Sequence, residues 1–260
     1  MADLPRRRKA ASDHLEATHT PEEVTRRLER GPGQSYLGDF IYGAIDGTVT
    51  TFAVVSGVAG AGLGAGIIII LGAANIIGDG FSMAASNYLG TKAERQLRDR
   101  TIQDEHHHIE HVPEGEREEI RQIFAAKGFA GDDLESAVNI ITSDVERWVD
   151  TMLQEEHGLP GAMRIPWKCA LATFVAFCFA GFVPLMPFVL GLILKRAIPY
   201  QYAISAGLTA ITFVLIGAVK GRIVRHRWYT SAVETLFIGG AAAGLAFLAG
   251  VLLKGVVNVL

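Results

Sequence analysis

The chain has 260 residues, half of them hydrophobic and one fifth charged, with a formal net charge of −3 and a mean hydropathy of +0.28. That balance is too apolar for most soluble domains carrying this many charges. The charges are also segregated: 17 of the 27 acidic residues, against 7 basic ones, fall between Glu94 and His157. The small net charge therefore averages an acidic soluble insert with nearly neutral apolar runs.

Arg6, Arg7, Arg8 and Lys9 precede a polar run over 11–30 with no apolar stretch, so no secretory leader is expected. Residues 1–36 read as a polar cytosolic tail, disordered or holding an interfacial helix around 21–30. Five stretches then reach the roughly 20 residues that a helix needs to cross hydrocarbon: 37–62, 65–90, 167–194, 202–219 and 233–257. The predicted organisation is membrane helices 1–2 in 37–91, a helical cytosolic insert in 92–166, and membrane helices 3–5 in 167–260. The fold class is all-α.

Basic residues set the orientation. They crowd the N-terminal tail and the connection Lys220, Arg222, Arg225, Arg227, whereas the connection after the third span holds only Lys195 and Arg196. The positive-inside rule puts the N-terminus, the insert and the Lys220–Arg227 loop in the cytosol and the C-terminus outside. Cys169 and Cys178, nine residues apart and half a turn out of phase, read as small core residues rather than a pair.

In the insert, residues 92–111 contain no Gly or Pro and are expected to prolong the second span. Pro113 suits a first turn followed by Glu114, Glu116, Glu118 and Glu119, and Gly128 suits a stop. A third helix is expected from an Asp132 or Asp133 cap, with Leu134, Val138, Ile141, Val145 and Trp148 as its apolar face, ending at Gly158 and Pro160.

An ionisable group within a span costs about 2.5–3.5 kcal/mol at the helix centre, so it marks an ion path. Asp46 lies a third of the way into the first span, with Asp39 seven residues before it on nearly the same face. On the second span Asn75, Asp79 and Met83 recur every four residues and form one stripe. Carboxylates, a carboxamide and a thioether suit Fe2+ or Mn2+ better than Mg2+. Asn75 and Asn87 can equally be plain cross-helix hydrogen-bonding residues. Gly43-x-x-x-Gly47 lets two helices approach closely, and if two copies met there, two Asp46 side chains would face one pathway.

Three pairs in the insert share a helix face: Glu105 with His108, Glu116 with Glu119, and Met152 with Glu156. With His106, His107 and His111 nearby, they can present ligands to one acidic pocket. Glu105-x-x-His108 is also the pair that ferritin-like di-iron sites use, so an iron-oxidising or iron-sensing protein is the alternative. A full site of that type needs two such pairs, and the insert holds one.

The segments Asp46-Gly-Thr-Val-Thr-Thr-Phe-Ala-Val-Val-Ser-Gly, Asp79-Gly-Phe-Ser-Met-Ala-Ala-Ser-Asn-Tyr-Leu-Gly and Trp148-Val-Asp-Thr-Met resemble the vacuolar iron transporter family from about Leu37 onward. The resemblance implies a homodimer of five-helix subunits that exports cytosolic Fe2+ in exchange for protons, with the pathway between the two first helices. It places the membrane metal site on Asp46 and Met83, and an insert site on Glu105, His108, Glu116, Glu119, Met152, Leu153 and Glu156. Three positions depart from the family's pattern: His108 replaces a glutamate, Leu153 a second methionine, and Asn75 an acid that some relatives carry. These leave Mn2+, Co2+ and Zn2+ open as cargo. Asp39, Asp46, Asn75 and Asp79 are the expected pathway or proton-coupling residues. No prosthetic group, enzyme activity or nucleic-acid partner is expected; the partners are the bilayer, metal ions, protons and a second copy joined through the first membrane helix. The expected location is a bacterial inner membrane, or a vacuolar membrane in a eukaryote.

Overall fold

A computed structural model describes residues 15–30, 35–159, 163–196 and 198–257. Its principal helices are α1 (Pro21–Arg30), α2 (Leu37–Ala61), α3 (Ala65–His111), α4 (Pro113–Ala126), α5 (Gly131–Thr142), α6 (Val145–Glu155), α7 (Pro166–Ile193), α8 (Gln201–Ile223) and α9 (Trp228–Val257). No strand occurs among the described residues. Five helices, α2, α3, α7, α8 and α9, are long and apolar enough to cross a membrane, as the sequence leads one to expect. Residues 1–14, for which a disordered tail is expected, lie outside the described residues; 21–30 is helical.

The chain divides into two compact units, Met1–Ser35 with Leu97–Met163, and Tyr36–Gln96 with Arg164–Leu260. In the second unit apolar surface facing lipid gives no cohesion, because lipid tails are as apolar as leucine, so helices must be held by close packing and internal hydrogen bonds. Helix α2 does this with its smallest residues. A Cβ on Gly43 would stand 2.3 Å from the Thr173 carbonyl oxygen of α7, and one on Gly47 would stand 2.4 Å from that of Phe177. Only glycine permits that approach. The close approach of two helices that the Gly43–Gly47 spacing allows is thus made inside the chain, and Gly60 meets α9 in the same way, a Cβ there standing 2.2 Å from the Phe247 carbonyl oxygen. Beyond them Val55, Val58, Ile68, Leu185 and Phe188 close an apolar core.

Prolines 184 and 187 lie inside α7. The Ser205 hydroxyl of α8 donates to the Pro184 carbonyl at 2.7 Å, an interhelical hydrogen bond that ties α8 to α7. Helices α8 and α9 run further than read from sequence and confine the basic turn to 224–227, with Lys220 and Arg222 in the last turn of α8. Cations there offset the carbonyl end of the helix dipole.

The first unit departs from expectation at one point. The helix expected to run from Asp132 toward Gly158 is two helices, α5 and α6, parted at Ser143 and Asp144. Asp144 caps α6 by accepting the Arg147 backbone N–H at 2.9 Å, whereas α5 begins after Ala130 with no side-chain cap and holds Asp132 and Asp133 in its first turn. The break turns Val145, expected in the core, out to solvent. Ile120, Val138, Trp148 and Met152 form the core, packed by Ile109, Ile123, Phe124, Leu134 and Ile141. Pro113 starts α4 as expected, and Gly128 ends it at a φ of +98°.

Candidate metal centre

The first unit gathers its carboxylates around the last turns of α3. Glu105 is 2% exposed and Glu116 5%, and Oε2 of each lacks a hydrogen-bond partner among the described residues. Burying an ionised carboxylate costs several kcal/mol unless a cation or donor answers it. Only one oxygen of each is answered by imidazole: His157 Nε2 lies 2.9 Å from Glu105 Oε1, and His108 Nδ1 lies 3.3 Å from Glu116 Oε1. Glu105, His108 and Glu116 bring ligand atoms within 4.8 Å of one another, and so do Glu105, Glu156 and His157. Glu105 is common to both groups.

The electrostatics agree with this crowding. Burial, then the neighbouring carboxylates of Glu119 and Glu105, push the Glu116 carboxyl up to about 7. Burial and the charges of Glu156 and Glu105 raise Glu119 as well. The hydrogen bond to Glu105 raises His157. Crowding by like charge, which raises Glu116 and Glu119, is relieved by a divalent cation.

Of the residues expected here, the structure brings together Glu105, His108, Glu116, Glu119 and Glu156. Met152 sits fully buried in the apolar core beside Ile120, Val138 and Trp148. Sequence reasoning missed His157. Its only sequence signal is an imidazole between Glu156 and Gly158, and its partner Glu105 is 52 residues away.

In the second unit the polar residues of α2 and α3 meet in an antiparallel seam. Asn87 donates to Asp39 Oδ1 at 2.9 Å, and Thr51 donates to Asn75 Oδ1 at 3.1 Å. The two pairs are twelve residues apart on each helix, which spaces them by about 18 Å. Between them Asn75 donates to Asp79, and Asp79 lies close enough to Asp46 to repel it. Asn75 thus offers a donor to Asp79 where an acid would add a third negative charge. A cavity of about 380 Å³ lies along the same seam, lined by Asp39, Tyr42, Ser82, Met83 and Asn87 among others. Asp39 is 7% exposed, and Arg164 Nη1 holds both of its oxygens at 3.2 and 3.3 Å. A metal ion at that carboxylate has to displace the guanidinium. Arg164 is a second residue that the sequence reading did not single out.

Residues 37–251 match the model of the VIT family. The chain is 31% identical over 229 residues to a vacuolar iron transporter of Toxoplasma gondii, covering 86% of this chain and 76% of that protein. It is 29% identical over 245 residues to vacuolar iron transporter 1 of Arabidopsis thaliana, covering 94% and 91%. A vacuolar iron transporter of Plasmodium berghei is 30% identical over 227 residues, covering 85% and 83%.

Proposed function

The chain belongs to the VIT family, and from that premise we propose that it carries divalent transition metal, Fe2+ first and Mn2+ possible as cargo, out of the cytosol in exchange for protons. It is a multi-pass membrane transporter and not an enzyme, so the ferritin-like alternative falls away. One observation carries the cargo assignment: the unpartnered, buried oxygens of Glu105 and Glu116 beside two imidazoles. A mixed nitrogen and oxygen set of this kind suits Fe2+, Mn2+, Co2+ or Zn2+.

In this reading the insert collects the ion on Glu105, His108, Glu116, Glu119 and Glu156, while Met152, expected as a soft ligand, is enclosed in the apolar core. The seam conducts it past Asp39, Met83, Asp79 and Asp46. Carboxylates must lose their protons to bind metal, so each passage exchanges metal for proton at the same groups. Two copies face one another across the first membrane helix and supply Asp46 twice. The N-terminus and insert lie in the cytosol, by the positive-inside rule.

The test is metal-driven proton movement in proteoliposomes under an imposed pH gradient, with Fe2+, Mn2+, Co2+ and Zn2+ in competition. Asp46→Ala should abolish metal-coupled proton flux in a protein that still folds. Normal iron flux in that variant would refute the pathway.

A further inference from the structure

We propose that His157 is itself a metal ligand of the insert, binding the same divalent cation as Glu105 and Glu156 and giving the centre a second imidazole besides His108. The proposal rests on the reading of the insert as a cargo site and adds a donor to it. Three local features aim the ring. The backbone N–H groups of Glu156 and His157 both donate to the Met152 carbonyl, at 3.0 and 3.2 Å. Gly158 then turns the chain at a φ of +63°, so the residue before it ends the helix rather than continuing along its face. The imidazole folds back with Nε2 2.9 Å from Glu105 Oε1 and 3.7 Å from Glu156 Oε2.

A structural hydrogen bond alone would leave this corner unbalanced. Glu105 keeps Oε2 unpartnered at 2% exposure even with His157 in place. The imidazole therefore answers half of a buried charge, and the other half points to a cation beside it. The donor count leads to the same conclusion. Leu153 offers no donor atom, and Met152 is enclosed by the apolar core. The softer share of the ligand set then falls to His108 and His157. Two borderline nitrogens with the buried carboxylates of Glu105 and Glu116 and the exposed one of Glu156 favour Fe2+, Co2+ or Zn2+ over Mg2+ or Ca2+, which bind oxygen almost exclusively.

The test uses the full chain in lipid nanodiscs and reads differences between variants, so that ions held elsewhere cancel. Calorimetry with Co2+ and Zn2+ gives affinity. Pulsed EPR of bound Mn2+, on protein carrying 15N-histidine, counts coordinated imidazoles. His157→Ala should remove one imidazole coupling and weaken Co2+ binding by about tenfold or more. His157→Gln, which can still donate to Glu105, should behave like the alanine variant. If glutamine restored wild-type affinity, His157 would only position Glu105 and the proposal would fail. It fails equally if His157→Ala changes neither coupling nor affinity while Glu116→Ala weakens binding. Should Glu116→Ala also leave binding untouched, the insert is not a cargo site, and that broader reading falls with it.

Discussion

Glu116 carries the strongest pH signal in the insert. Its carboxyl is pushed from an ordinary 4.5 up to about 7, first by burial and then by Glu119 and Glu105. A group that is easier to protonate in the folded state stabilises the fold at low pH; that contribution is complete below 4.5 and lost as pH rises through about 7. The metal-free insert should therefore weaken over that window, and bound metal should restore it. Metal affinity runs the other way, since proton and metal compete for one carboxylate. One group titrating near 7 makes Mn2+ binding about tenfold weaker at about pH 6 than at about pH 8. Calorimetry in buffers of different ionisation enthalpy counts the protons released, and Glu116→Gln should flatten the profile; equal affinities at both pH values would remove Glu116 from the ligand set. Arg164 makes a second residue-level case. Arg164→Ala leaves Asp39 buried without its cation, although Asn87 still donates to it, at a cost of about 1–3 kcal/mol. Adding Asp39→Asn should recover most of that loss, because a carboxamide needs no cation. Thermal melts of the two single variants and the double variant measure the coupling. Residue roles were legible in the sequence where spacing carries them, as in the i, i+3 pairs Glu105 with His108 and Glu116 with Glu119. They were hidden where partners lie far apart in the chain: 52 residues for His157 and Glu105, and 125 for Arg164 and Asp39.

The spans were readable at the scale of elements because hydrocarbon thickness fixes their length and excludes charge, two constraints that act on every residue of a run. The insert helices were less readable, because Ser143 and Asp144 interrupt a helical pattern without glycine or proline. The cap that Asp144 gives to α6 depends on local backbone geometry rather than on composition. What holds α2 to α7 was visible only as a spacing of glycines, and spacing does not name the partner. The packing gives a direct test. Gly47→Leu sets a side chain against the Phe177 backbone, where even a Cβ would stand 2.4 Å from the carbonyl oxygen. Overpacking of that kind should cost about 3 kcal/mol or more, seen as a large fall in melting temperature. Gly66→Ala, with nothing within 4 Å of its Cβ, should melt like the parent protein or slightly higher. If both variants melted alike, α2 would not be held to α7 through its glycines.

For the whole molecule, the question is what covers the polar seam at membrane depth. Gly43, Ala44, Gly47, Thr48, Thr51, Val55 and Val58 are buried within the chain, so the face of α2 that carries Asp46 is a different one. Tyr42 is 66% exposed, and Asp46, Val49, Thr50 and Ala53 are only half-buried. Asp79 is exposed on α3. Carboxylates turned toward lipid would each cost about 2.5–3.5 kcal/mol near the bilayer centre, and two such acids within repelling range make that arrangement worse. A second copy laid against the same face, as proposed above, would cover both seams at once and enclose the carboxylates in one polar channel. In the proposed dimer the two copies would meet along Tyr42, Asp46, Val49 and Ala53, and not along the Gly43–Gly47 edge, which α7 already fills. Cysteine cross-linking in native membranes tells these faces apart. With Cys169 and Cys178 replaced by serine, Val49→Cys and Ala53→Cys should form covalent dimers, whereas Val58→Cys, buried against the chain's own core, should not. Silence at Val49 and Ala53, together with a monomeric mass in nanodiscs, would mean that each chain conducts alone.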